Sequence, residues 1–334
     1  MRPLHTRRFP AALKAAALTV SVLAGGTIYG PGTATAAVQT SAAAVHAPTA
    51  QVRYDRQAAA PSGQAEAGRR LRALEASFDG RIGVYAVDTA TGKKITYRAG
   101  ERFPLLSTFK AVAAAAVLNK ARTAEPGLMD KVVHWTQDEV KENSPVTEDH
   151  VEDGLTVAEL CEAAITQSDN TAGNMLLKQI GGPAGLTRYF RTLKDPISRL
   201  DRWETELNIW SPKEKRDTTT PAAIAADLRE LTLGDALNAK DRARLNGWLR
   251  ANKTGDKRIR AGLPKTWTIG DKTGASSYHG STNDIAVVWP ENAKAPLVMA
   301  IYTTHRAAKA PNDDQAVAGT ATIVAEALGK LPKS

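Results

Sequence analysis

Cysteine is nearly absent: the 334-residue chain has one, Cys161, which excludes an internal disulfide. The six histidines are isolated, and no closely spaced His/Asp cluster accompanies them, so the residues offer no zinc site. No apolar run reaches the roughly 20 residues that a membrane-spanning helix needs. No basic run is interleaved with aromatics, and aromatics make up only 5% of the chain, which removes the usual footprint of nucleic-acid binding. What the chain does have is 43% hydrophobic residues, enough to bury a large core in one domain or two intertwined ones. Cys161 belongs to that core, on the apolar face of a helix that Thr156 and Glu159 open with a capping box.

The first 36 residues differ from the rest. Arg2, Arg7, Arg8 and Lys14 precede an apolar run from Ala15 to about Ile28, and Ala34-Thr35-Ala36 offers a small-residue cleavage site. This pattern predicts a secretory signal peptide, hence a secreted or extracytoplasmic protein without a stable membrane anchor. Arg7-Arg8 suggests twin-arginine export, although Pro10 stands where that motif has an apolar side chain. Without these four basic residues the formal charge falls from +9 to +5, too mild and scattered to call for nucleic acid. Residues 37–63, rich in alanine with scattered proline, serine and glutamine, read as a disordered tether.

From residue 64 the periodicities alternate. A helix is predicted over 64–78, strands over 81–88 and 94–98 joined by the turn Thr89-Ala90-Thr91-Gly92, and an almost wholly helical stretch from Ser107 to about Lys253. Strands return over 267–273, 284–289 and 297–304, followed by a helix over 314–328. This order predicts an α+β fold: an antiparallel five-stranded sheet built from both chain ends and flanked by helices. An all-α part, 106–253, is inserted between the two pieces of the α/β part, 64–105 and 254–334. Clefts form where such parts meet, and Ser107 sits at one crossing point with Lys272 just after the other.

Four motifs bear on that cleft. In Ser107-Thr108-Phe109-Lys110 a hydroxyl and an ammonium share one helical face, so Lys110 can activate a weak alcohol nucleophile. Ser168-Asp169-Asn170, on a turn between buried helices, reads as a helix cap or as a hydroxyl and amide facing a ligand. Lys272-Thr273-Gly274, on an edge strand, can bind a carboxylate, and Gly274 lets a backbone approach closely. Lys253-Thr254-Gly255 has the same letters with no strand before it, and reads as a helix-terminating loop. Finally, Glu204 and Asn208 stand four residues apart in the aperiodic stretch 202–217, where a carboxylate and an amide can hold one water.

In combination and order, from about Gln64 onward, these motifs resemble the class A serine β-lactamases; Ser144-Pro145-Val146-Thr147 matches as well. The resemblance implies a β-lactamase-like fold, no cofactor, a monomer, and hydrolysis of penicillin- or cephalosporin-type β-lactams that confers antibiotic resistance. Ser107 would be the nucleophile, with Lys110 and Glu204 sharing its activation, and Ser168 would pass a proton to the lactam nitrogen. The N–H groups of Ser107 and Ala275 would form the oxyanion hole. Asn170 would hold the drug's side-chain amide; Lys272 and Thr273, beside Gly274, its carboxylate; Glu204 and Asn208 the hydrolytic water. Arg202 would pair with Asp217, Arg260 with Asp271, and the Glu204–Thr205 peptide would be cis. Departures are also visible. No arginine follows the Lys272 strand, so Arg258 is the candidate carboxylate partner. Ser277-Tyr278-His279-Gly280 is one residue longer than usual, Asn143 stands where an aromatic commonly lines the entrance, and Leu106 replaces the disulfide-bonded cysteine of a carbapenem-hydrolysing subgroup. The competing readings are a D-alanyl-D-alanine peptidase, against which the Glu204 loop argues, and a non-catalytic penicillin receptor, which normally carries an anchor.

Overall fold

The computed structural model describes residues 63–291 and 293–332. The expected signal peptide, its cleavage site and the tether up to residue 62 lie outside the described residues. Helix α1 (Gly63–Phe78) leads into strands β1 (Gly80–Asp88) and β2 (Lys94–Tyr97). The two-residue strand β3 (Phe103–Pro104) then delivers the chain to α2 (Phe109–Thr123). Next come β4 (Val132–Val133), β5 (Leu155–Thr156), α3 (Val157–Thr166), α4 (Asn170–Gln179), α5 (Gly182–Thr192), β6 (Thr218–Thr219), α6 (Pro221–Thr232) and α7 (Ala239–Arg250). Strands β7 (Thr268–Ser276), β8 (Ser281–Trp289) and β9 (Leu297–His305) precede the closing helix α8 (Asp314–Ala327).

The main sheet has the order β2-β1-β9-β8-β7 with every neighbour antiparallel, so the last strand of the chain pairs with the first. Both of its faces are covered, which explains why β8 and β9 are buried along almost their whole length, with apolar runs at 285–289 and 297–302 instead of a strict alternation with polar residues. On β9, Val298, Ala300 and Tyr302 enter the core shared with the central helices, while Leu297, Met299 and Ile301 enter the one shared with α1 and α8. At ~25 cal/mol per Å² of apolar surface removed from water, such side chains supply about 1.5–3 kcal/mol each.

Helix α2 is the hub of the helical part. Its residues Phe109 to Leu118 are all buried, and it packs against α3, α4, α5, α6 and α7. The alanines at 111 and 113–116 allow neighbours to approach on every side. The helical expectation for 107–253 is broken in two places, 124–156 and 193–220, where Gly127, Gly154 and the prolines at 145, 196 and 212 interrupt periodicity. Extended pairings hold these stretches: β4 with β5, and β3 with β6. The second joins the approach to Ser107 to the exit of the Glu204 loop, reinforced by Leu105 N–H donating to Asp217 O at 2.8 Å. Among the described residues no helix is long and apolar enough to cross a membrane.

Candidate active site

Ser107 lies in the 3₁₀ turn Leu106–Thr108 that opens onto α2, one step before the α-helical turn expected for it. Leu106 has φ 48°, a left-handed conformation that costs a branched side chain energy and turns the chain sharply between two buried residues. Thr108 Oγ1 anchors the turn through Leu105 O at 2.6 Å and Tyr302 Oη at 2.8 Å.

Lys110 follows on α2 and has no solvent exposure, which excludes the alternative of a solvated surface lysine. Its Nζ donates to Ser107 Oγ at 3.0 Å, to Ser168 O at 2.8 Å and to Asn170 Oδ1 at 2.6 Å, and lies 3.0 Å from Glu204 Oε1. Burial lowers its affinity for a proton below the usual lysine range, and the Glu204 charge opposes that shift. Space for this side chain comes from Gly173 on α4, where a Cβ would sit 2.8 Å from Lys110 Cε.

The Glu204 carboxylate is also fully buried. Ser107 Oγ donates to Oε1 at 3.5 Å, and Asn208 Nδ2 donates to Oε2 at 2.7 Å. Asn174 grips the backbone of the same residue from both sides, accepting from Glu204 N–H at 2.9 Å and donating to Glu204 O at 3.0 Å. Asn208 Oδ1 is buried and takes no hydrogen bond from the protein, leaving an acceptor beside the carboxylate. The Glu204–Thr205 peptide is cis. Asp217 closes the loop: its Oδ1 accepts the N–H groups of Asp201 and Arg202, and its Oδ2 lies 2.6 Å from Arg202 Nε.

The third wall is β7, an edge strand as expected. Lys272 is buried and donates to Ser168 Oγ at 3.0 Å and Thr273 O at 2.9 Å. Desolvation, then the nearby Lys110 charge, hold its affinity for a proton well below the ordinary range. Ser168, at φ 59°, thus stands between the two lysines, its hydroxyl bonded to one and its carbonyl to the other. Asp169 caps α4 through Ala172 N–H, so the helix-cap reading and the site reading of that triplet hold together. A Cβ on Gly274 would lie 2.9 Å from Leu106 Cβ and 3.2 Å from Ser107 N, so only glycine lets β7 pass this close to the nucleophile.

Ser107, Asn170, Asn208, Thr273, Gly274, Ala275 and Arg258 face one cavity of about 780 Å³. Arg258 is mostly committed to the protein. Its Nε donates to Asp314 at 2.7 Å, and one terminal nitrogen donates to both Gly274 O and Asn283 O at 2.8 Å. Arg260 pairs with Asp271 at 2.6 Å, as expected. Two contributors escaped the sequence reading. Thr254, in the loop set aside as helix-terminating, lines the cavity and shares a hydrogen bond with Thr273 Oγ1; the dismissed Lys-Thr-Gly copy therefore adjoins the true one. Asn174 carried no motif signal, since an asparagine inside an apolar helix is visible only as a polar exception.

Two buried charged groups, Lys110 and Glu204, converging on one serine hydroxyl over an α+β scaffold define a serine acyl-transfer enzyme. The model of the β-lactamase enzyme family matches residues 66–330. The β-lactamase FAR-1 of Nocardia farcinica is 55% identical over 255 residues, covering 76% of this chain and 80% of that protein. Among solved structures, the β-lactamase from Streptosporangium roseum superposes with a TM-score of 0.79 at 73% identity, covering 80% of this chain and all of that one. A class A β-lactamase representing the last common ancestor of Gram-negative bacteria gives 0.74 at 52% identity, covering 78% and 99%. The chain belongs to the β-lactamase enzyme family. It is a class A serine β-lactamase, a hydrolase of β-lactam antibiotics.

Proposed function

We propose that Ser107 opens the β-lactam ring by attack of its Oγ on the lactam carbonyl carbon, and that Glu204 and Asn208 deliver the water that clears the resulting ester. The observation that carries this reading is the position of Glu204 Oε1, 3.5 Å from the serine hydroxyl and 3.0 Å from Lys110 Nζ, with Oε2 held by Asn208. On attack the Ser107 proton passes to Lys110 or Glu204. The C–N bond then breaks, and the lactam nitrogen takes its proton from Ser168, whose hydroxyl is bonded to Lys272. The carbonyl oxygen is held by the N–H groups of Ser107 and Ala275, each worth about a hundred- to thousandfold in rate. In the second stage Glu204 takes a proton from water as its oxygen bonds the acyl carbon, and Ser107 leaves with a proton returned to it.

Asn170 receives the substrate's side-chain amide, and Thr273, Lys272 and Arg258 its carboxylate. The protein acts outside the cytoplasm as a monomer, without a cofactor, in resistance to penicillins and cephalosporins. The leader composition supports export. Absorbance assays with one penicillin and one cephalosporin test the reading: turnover of both is expected. A single stoichiometric burst followed by silence would point instead to a penicillin receptor or peptidase.

A further inference from the structure

Asp227 is a buried acid outside the catalytic machinery. It sits on α6 with no solvent exposure, and neither carboxyl oxygen receives a hydrogen bond from an N–H or O–H of the protein. The carboxyl group of Asp195 lies within hydrogen-bonding reach of it. Asp195 is itself buried and caps the first turn of the loop that carries Glu204, accepting Ile197 N–H at 2.6 Å and Ser198 N–H at 3.1 Å. The other groups facing Asp227 are Arg191 and Tyr189 from α5 and Tyr302 from β9. Arg191 spends its hydrogen bonds on the loop carbonyls of Asp195 and Ser198, and the buried Tyr189 hydroxyl has no partner. Two ionised carboxylates in dry contact repel, and Asp195 in that state offers Asp227 no donor; one proton between them turns the clash into a hydrogen bond.

We propose that Asp227 is a positioning residue that stays protonated and donates to Asp195, stapling the root of the Glu204 loop to α6, and that its ionisation in alkali releases the loop. Burial, then the Asp195 charge, push the Asp227 carboxyl up to about 9. The sign follows from proton linkage. The folded state holds a proton that the unfolded chain releases near the ordinary aspartate value of about 4, so this group's contribution to stability falls between about pH 4 and pH 9 and is flat above that.

Asp227→Asn carries a permanent donor in place of the proton. Two readouts, neither requiring turnover, test the staple and remain valid if the proposed lactam chemistry fails. In denaturant unfolding, the advantage of Asp227→Asn over the parent should grow with pH from 5 to 9, approaching tenfold in the unfolding constant per unit. Tryptic nicking after the exposed Lys213, Lys215 or Arg216, read by intact mass, should rise from pH 7.5 to 9.5 in the parent but not in the variant. Asp195→Asn guards against a variant that does not fold: its amide donates to an ionised Asp227, and it too should abolish the alkaline rise. A pH-independent stability difference, or equal alkaline nicking in parent and variants, overturns the proposal.

Discussion

Glu204 and Lys110 meet at the same hydroxyl and at each other, and it is their remaining partners that separate the two chemical stages. Lys110, bonded to Ser107 Oγ at 3.0 Å, remains as a base when Glu204 is removed, whereas the acceptor pair that can hold a water is Glu204 with Asn208. Glu204→Ala should therefore still react with penicillin, but accumulate a persistent mass increase on Ser107 as turnover collapses. Normal turnover in this variant would refute the assignment. Arg258 poses a different question, because three of its hydrogen bonds go to Asp314, Gly274 O and Asn283 O before any substrate arrives. A substrate carboxylate meets a cation already fixed in position, so Arg258→Ala should mainly raise KM, with a charge-assisted contact worth about 1.5–3 kcal/mol at stake. Unchanged steady-state kinetics would remove Arg258 from the substrate site.

At the scale of elements, the site depends on how closely β7 passes the 3₁₀ turn before α2. A side chain at Gly274 collides with Leu106 Cβ and the Ser107 backbone, so β7 would have to retreat and carry Ala275 with it. Gly274→Val should lower kcat by about a hundredfold or more, the usual cost of misplacing one oxyanion donor, while leaving the thermal midpoint within a few degrees. A variant that retains full kcat would show that Ala275 N–H is not aimed at the reacting oxygen. The loop opposite is held by Asp217, which satisfies two backbone N–H groups and the Arg202 guanidinium together. At the far end of β7 the four-residue connection 277–280 forms a 3₁₀ turn with His279 at φ 55°, its ring edge-on to Trp210 at 5.8 Å. The connection that looks one residue long in the sequence is thus a turn packed through His279 against the Glu204 loop.

For the whole molecule, the leader and the lone cysteine bear on where it works. Export with cleavage after Ala36 should yield a culture-medium protein whose mass begins at Ala37, and recovery of the uncleaved chain in the cytoplasm would contradict it. Much of the rest was legible before any coordinates. The helix at 64–78 and the five strands follow from local periodicity, the antiparallel sheet follows from the order of the elements, and Ser107 with Lys110 follows from helical geometry, because a spacing of three gives a shared face on a helical turn whatever packs around it. Local pattern could not reveal relations across long sequence separations: Asn174 gripping Glu204 from 30 residues away, Gly173 making room for Lys110, or Thr254 meeting Thr273. Nor could it tell that Lys110, Lys272 and Glu204 are wholly buried, since charged residues in sequence read as surface. Residue type and spacing determined which groups could react, while tertiary packing alone decided which were dehydrated and brought into contact, because desolvation depends on neighbours distant in the chain.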